Sequence, residues 1–277
     1  MILNSADPDA PGFEQAERIL ADLGAAPPRR WVERYTSDGM WAERRRLQRD
    51  IADRGDWILN ADVDEHHAYP GSIGSVIAHC ETKGYNAVQG VLIDRLSETG
   101  ALNPVLETPP LSVQFPLQAE MHLSLMGRGK YHGVDGTTKL MLHSARVLPS
   151  RGGHNPSPEG EAPRYLVGGR LATFPGVMRP EFRFAFPFRV DHYKWTATRE
   201  TTFKRRIETP GVSAAGKEVG GQLTRYLAEH GQIRLQDVAV HKGHRASSSW
   251  KFLAFRMRLA ARMRAKFAQR STRPANA

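Results

Sequence analysis

The strongest constraint on the fold is an alternation. Between Met1 and Ile93 the hydrophobic spacing switches repeatedly from that of a strand to that of a helix. A strand stub at residues 1–4 passes through the turn Ser5-Ala6-Asp7-Pro8-Asp9 into a helix from Pro11 to Leu23. Phe13, Ala16, Ile19, Leu20 and Leu23 share one stripe of it, and Gly24 stops it. Trp31–Tyr35 alternates as a short strand, and a helix over Met40–Arg54 turns Met40, Leu47 and Ile51 inward before Gly55. Trp57–Ala61 is a nearly all-apolar run, the mark of a strand buried on both faces. Ser72–Lys83 then carries Ile73, Val76, Ile77 and Cys80 at helical spacing, and Ala87–Ile93 follows as a strand. Such alternation predicts an α/β layered fold with a parallel sheet.

Beyond residue 95 the pattern loosens. Asn103–Pro116 is a proline-rich loop, and Met121–Met126, Thr138–Leu142, Tyr165–Val167 and Phe182–Val190 are strand candidates. Trp195–Ile207 and Lys217–His230 read as helices, and the polar, turn-forming stretch 150–163 as a surface loop. Cys80 is the only cysteine and lies on an apolar helix face, so it reads as a core residue in a reducing compartment. The N-terminus shows no signal-peptide pattern and no apolar run is long enough for a membrane span, so the expected location is cytoplasmic. Lysine and arginine outnumber aspartate and glutamate by 39 to 29, a net charge of +10 that draws polyanions without choosing among them.

Chemistry concentrates in Trp57-Ile58-Leu59-Asn60-Ala61-Asp62-Val63-Asp64-Glu65, where an apolar strand runs straight into an acidic cluster. In open α/β sheets ligands bind at the carboxyl ends of strands. Carboxylates gathered there repel one another unless a cation or proton intervenes. Oxygen ligands of this kind suit Mg²⁺ or Mn²⁺, which keep waters and bridge to substrate phosphates. A divalent-metal site holding a diphosphate is one reading; a solvated acidic turn that caps the next element is the other.

The segment DWILNADVDEHHAYP resembles the strand-plus-acid motif of glycosyltransferases of the family-two type with the GT-A fold. The likeness continues in order along roughly residues 1–230. ILNSADPD is similar to the second strand and turn of such domains, and Trp41 with Arg44-Arg45-Arg46 stands where they carry an aromatic and arginines. SRGGHNP and DHYKW resemble two of their histidine-bearing segments. The resemblance implies a GT-A-like, Rossmann-related mixed sheet flanked by helices over residues 1–240, with a C-terminal helical extension over 241–277. Family members usually begin with one more strand and helix, so the chain is expected to start at their second strand, as a truncated or degenerate transferase.

By that resemblance Asp62 and Asp64 hold Mn²⁺ or Mg²⁺ and the diphosphate of a nucleotide-sugar donor, with His154 or His192 completing the metal shell. Metal would stabilise the charge that grows on the departing nucleoside diphosphate. Glu65 orients a ligand water or caps the following turn. Asp135 and Glu120 are the candidates for the base that takes the acceptor's proton, and Lys139 with one of Arg44, Arg45 or Arg46, Arg45 foremost, pairs with phosphate oxygens. The implied reaction moves a hexose-type sugar to a glycan, lipid-linked or other cell-envelope acceptor. The rival from another class is a non-enzymatic polyanion binder; no nucleic-acid motif supports it.

Residues 242–274 contain many lysines and arginines and no acid. Trp250, Leu253, Met257, Ala260, Arg264 and Phe267 follow helical spacing there, which predicts a basic amphipathic helix lying at the inner face of an anionic membrane or packed on the domain.

Overall fold

The computed structural model describes residues 1–126, 134–242 and 249–271. In chain order the elements are β1 (Ile2–Ser5), α1 (Pro11–Asp22), β2 (Arg29–Val32), α2 (Ser37–Ile51), β3 (Trp57–Leu59), β4 (Glu65–Ala68), α3 (Ile73–Lys83) and β5 (Ala87–Leu96). They continue with α4 (Leu111–Gln114), β6 (Leu117–Glu120), α5 (Met121–Met126), β7 (Thr138–Ser144), α6 (Pro180–Ala185), β8 (Arg189–His192), α7 (Arg199–Glu208), α8 (Ala214–His230), β9 (Ala239–Lys242) and α9 (Trp250–Ser271).

The fold is mixed α/β: a curled mixed sheet flanked by helices. The parallel sheet expected from the first strands is not what forms. β1 and β2 pair in parallel, but as a separate two-stranded sheet. β3 instead pairs antiparallel with β7, which arrives from much later in the chain. β5 is the hub of the larger sheet. Its first half runs antiparallel to β7, its last residues antiparallel to β6, and the stretch Val91–Asp94 parallel to β8. β8 also takes β4 antiparallel, and β9 joins β6. Gly90 of β5 passes so close to Met141 and the Phe188 carbonyl that a β-carbon would collide with both.

Several sequence expectations are overturned for local reasons. β3 is short and part-exposed, not buried on both faces, because it has a single strand neighbour. Met121–Met126 is a helix; the Glu120 carboxylate accepts from the backbone N–H groups of Leu123 and Ser124 and so caps its first turn. Phe182–Val190 splits into α6 and β8, since Pro180 suits a first helical turn and Pro187 ends the helical run. On α2 the buried residues are Trp41, Glu43 and Gln48, while Ile51 faces water. The Gln48 amide sets that rotation by donating to the carbonyls of Ala145 and Val147, both at 2.9 Å. α1 likewise buries Phe13 but leaves Ile19 and Leu23 exposed. The 150–163 stretch is partly buried against the sheet.

One core packs α3, β5, β7, β8, α6 and α9 together, with Val76, Cys80, Val91, Ile93, Met141, Phe186, Phe188 and Trp250 inside it. A second joins β5 and β6 to α7 and α8 through Leu96, Ala119, Trp195, Phe203 and Leu223. α9 thus contributes Trp250, Ala254 and Met257 to the main core.

His143 on β7 gives the fold a pH dependence. Burial pushes its imidazole down to about 4, against the pull of the Ser144 and Val147 carbonyls. The ring is neutral in the fold, whereas in the unfolded chain it takes a proton below about pH 6.5. The unfolded state therefore binds the extra proton between those values. This contribution, up to about 3 kcal/mol, is complete above the window and lost as the pH falls through it. Denaturant melts of His143→Gln should lose less stability than wild type between pH 7 and 4.5; parallel losses would assign the acid sensitivity elsewhere.

Candidate functional site

Strand register brings the ionisable residues together. Glu65 on β4 lies opposite His192 on β8, and His192 lies opposite Asp94 on β5, so three titratable side chains form a row across the sheet. The segment from Asn60 to Asp64 leaves β3 beside β7, the Asn60 N–H donating to the Met141 carbonyl at 3.0 Å, and Lys139 is the second residue of β7. A tight turn closes it: the Glu65 N–H donates to the Asp62 carbonyl at 3.1 Å, and the Asp62 N–H donates to the Glu65 carboxylate at 3.0 Å.

Two charge clusters flank this turn. In the first, the buried Lys139 ammonium bridges Glu65 at 2.8 Å and Asp62 at 3.2 Å. Arg44 from α2 reaches the other Asp62 oxygen at 2.5 Å, its guanidinium lying 4.5 Å over the Trp41 ring. Burial opposes ionisation of Glu65, but the His67 imidazole, 3.9 Å away, and the Lys139 ammonium outweigh it and hold the carboxyl far below the ordinary range. Gly152-Gly153-His154 roofs the cluster. Gly153 has φ +66°, and a β-carbon there would meet Asn60, Trp41 and Lys139, so only glycine lets this loop sit so low. The His154 Nδ1 faces the Thr138 carbonyl at 2.7 Å, and burial lowers the affinity of its ring for a proton.

In the second cluster, His192 Nε2 is 3.3 Å from Asp64 and its Nδ1 is 3.6 Å from the buried Asp94. Lys194 joins Asp94 at 3.1 Å. Burial works against ionisation of Asp94, but Lys194 and His192 prevail and hold it below its usual value. Burial likewise opposes the charge on Asp64, which His192 and Lys194 overcome. The Asp64 carbonyl also accepts from the Tyr193 N–H at 2.8 Å, tying the turn to β8.

Asp62, Lys139, Glu65 and His154 are therefore brought together, and Asp64 with His192. Arg44, not Arg45, points at the acids; Arg45 pairs with Glu159 at 3.1 Å. Glu120 is occupied as the cap of α5, and burial raises its carboxyl above the ordinary value. The side chain of Asp135 lies outside the described residues. Two partners escaped the sequence reading. Asp94 is the one acid in the apolar run Val91–Leu96, and that incongruity was its signal; Lys194, two residues beyond His192, had none.

Among the described residues no three histidine, cysteine, aspartate or glutamate side chains converge as a metal cage. The acids that retain solvent access are Asp62 and Asp64, about a third of each side chain being exposed. Both oxygens of Asp62 face cations, Arg44 and Lys139, and Asp64 faces His192, so a hard cation here would draw most of its ligands from phosphate and water. Neither a family model, nor a curated protein, nor a solved structure matches the chain.

Proposed function

We propose that the turn Asp62–Glu65 is the diphosphate end of a nucleotide-sugar site and that the chain is a glycosyltransferase with a GT-A-like sheet. The observation that carries the reading is the pair of part-exposed carboxylates, Asp62 and Asp64, at the end of β3, with Arg44 and Lys139 set beside the first. Cations beside acids suit a ligand that is itself a metal-bridged polyanion: the carboxylates meet the metal and the cations meet phosphate oxygens. Mn²⁺ or Mg²⁺ held by Asp62 and Asp64 would supply Lewis-acid charge to the departing diphosphate.

In the transfer itself the acceptor hydroxyl attacks the anomeric carbon, the bond from that carbon to the diphosphate oxygen breaks, and the hydroxyl proton must go to a base. Arg44, part-exposed beside Asp62, would balance the negative charge gained by the leaving group, and the buried Lys139 would hold Asp62 and Glu65 in position. His192, 3.3 Å from Asp64 at one ring nitrogen and 3.6 Å from Asp94 at the other, is the base this reading assigns to that proton.

The test is a thermal shift with MnCl₂ and UDP, GDP or dTDP. At a hundredfold excess over Kd the fitting pair should raise Tm by roughly 5–10 °C, because such a ligand binds only the folded state. Asp64→Asn should abolish the rise with apo Tm nearly unchanged. The reading fails if no nucleoside diphosphate shifts Tm with or without metal, or if the variant responds like wild type.

A further inference from the structure

Helix α9 has two apolar faces. The first is buried: Trp250, Ala254 and Met257 enter the main core, with Leu253 and Ala261 packed against it. Two arginines fix its rotation. Arg258 donates to the Leu166 carbonyl at 2.8 Å and stacks over Tyr85, and Arg264 donates to the Thr173 carbonyl at 3.1 Å over the Phe174 ring. The stripe expected to meet a membrane is therefore mostly the one that holds the helix to the domain. A second stripe points the other way. Phe252, Phe255, Leu259, Met263 and Phe267 succeed one another at helical spacing, and each is 50–63% exposed. Lys251, Arg256, Arg262 and Lys266 are interleaved with them and also exposed, and no acid occurs between residues 249 and 271.

We propose that this outer face of α9 docks on an anionic lipid surface. Single exposed apolar residues need no partner, but five large ones in a row at one helical period form a continuous patch that water disfavours. The interleaved positive charges select the partner. A second copy of the chain packed two-fold through this stripe would set these cations against their own symmetry mates. A bilayer interface takes both features at once, the aromatic and aliphatic side chains entering the acyl boundary while Lys and Arg reach headgroup phosphates. Docking in this plane demands no spanning segment, and none of the described helices is long and apolar enough to cross a membrane. The proposal stands independently of the transferase reading.

Flotation of the full chain with phosphatidylcholine vesicles, with and without about 30% phosphatidylglycerol, tests it. Binding is expected only to the anionic vesicles, and should weaken at least about tenfold between roughly 50 and 500 mM NaCl. Phe252→Ser/Phe255→Ser/Leu259→Ser and, separately, Arg256→Gln/Arg262→Gln/Lys266→Gln should each cut partitioning by about tenfold or more with Tm unchanged. Loss in the first variant alone would make the surface merely sticky and overturn the choice of anionic lipid. Absence of vesicle binding by wild type, or a wild-type dimer that either variant converts to monomer without any change in flotation, overturns the proposal.

Discussion

A Lys139→Met variant should lose roughly 3 kcal/mol of folding stability at neutral pH and all response to a nucleoside diphosphate. The stability loss follows from what the ammonium leaves behind. Glu65 is buried, and Lys139 is its closest cation at 2.8 Å; without it a carboxylate stays in a poorly solvated place with only the Asp62 N–H and the His67 imidazole. The sign of the pH effect separates this from a packing defect. In wild type Glu65 is ionised throughout the accessible range, since its pKa is depressed. In the variant its pKa should rise, so the deficit shrinks as the pH falls toward 4 and the group takes a proton. Lys139→Met/Glu65→Gln should recover more than half the loss without recovering ligand response. Denaturant titrations of the two variants decide the matter: equal instability of single and double variants would mean that the pair is not coupled.

Arg183→Met should be comparably damaging, about 3–5 kcal/mol, or a fall of roughly 10 °C in Tm. Arg183 on α6 is wholly buried, yet its guanidinium donates to the Thr137 hydroxyl at 2.8 Å, the Thr137 carbonyl at 3.0 Å and the Leu92 carbonyl at 2.7 Å. It thereby clamps α6 to β5 and to the turn entering β7. Methionine fills the volume but removes those three hydrogen bonds and the positive charge that faces the buried carboxylates of Glu120 and Asp94. Arg183→Lys should recover little, because one compact ammonium cannot reproduce a planar fork that reaches acceptors on two segments. A loss below about 1 kcal/mol for Met would show that water replaces the clamp.

What the sequence disclosed and what it hid divide along the range of the interactions. α3 was readable because its ends are local chemistry: Ser72 accepts from a backbone N–H at the start and Gly84 takes left-handed backbone at the stop. α8 was instead read from its apolar face and begun at Lys217, past its cap Ser213. β5 was readable because its apolar run is long. The orientation of α2 was not, since its buried face is built from Gln48 and Glu43, and Gln48 answers to carbonyls about a hundred residues away. The mixed sheet was legible through the resemblance and not through the alternation, which pointed to parallel strands: β3 chooses β7, and no local signal states that choice. At the site, the strand running into Asp62 was legible. Its pairing with Lys139 was less so, because 77 residues separate the two and only the β3–β7 register joins them. The two-stranded β1–β2 sheet likewise left the parallel expectation half met.

The hub position of β5 also governs how the chain is assembled over time. β5 leaves the ribosome roughly a hundred residues before β8, the parallel partner of its central stretch, and well before β7. Until β8 is made, the Val91–Asp94 edge of this ten-residue strand, nearly all of it destined for burial, lacks the strand it pairs with. Pairings this distant must bear the entropy of closing long loops before they give anything back, so sheet closure is the slow event. The nascent chain is accordingly most vulnerable to edge-to-edge association, and most in need of a chaperone, between the synthesis of β5 and that of β8.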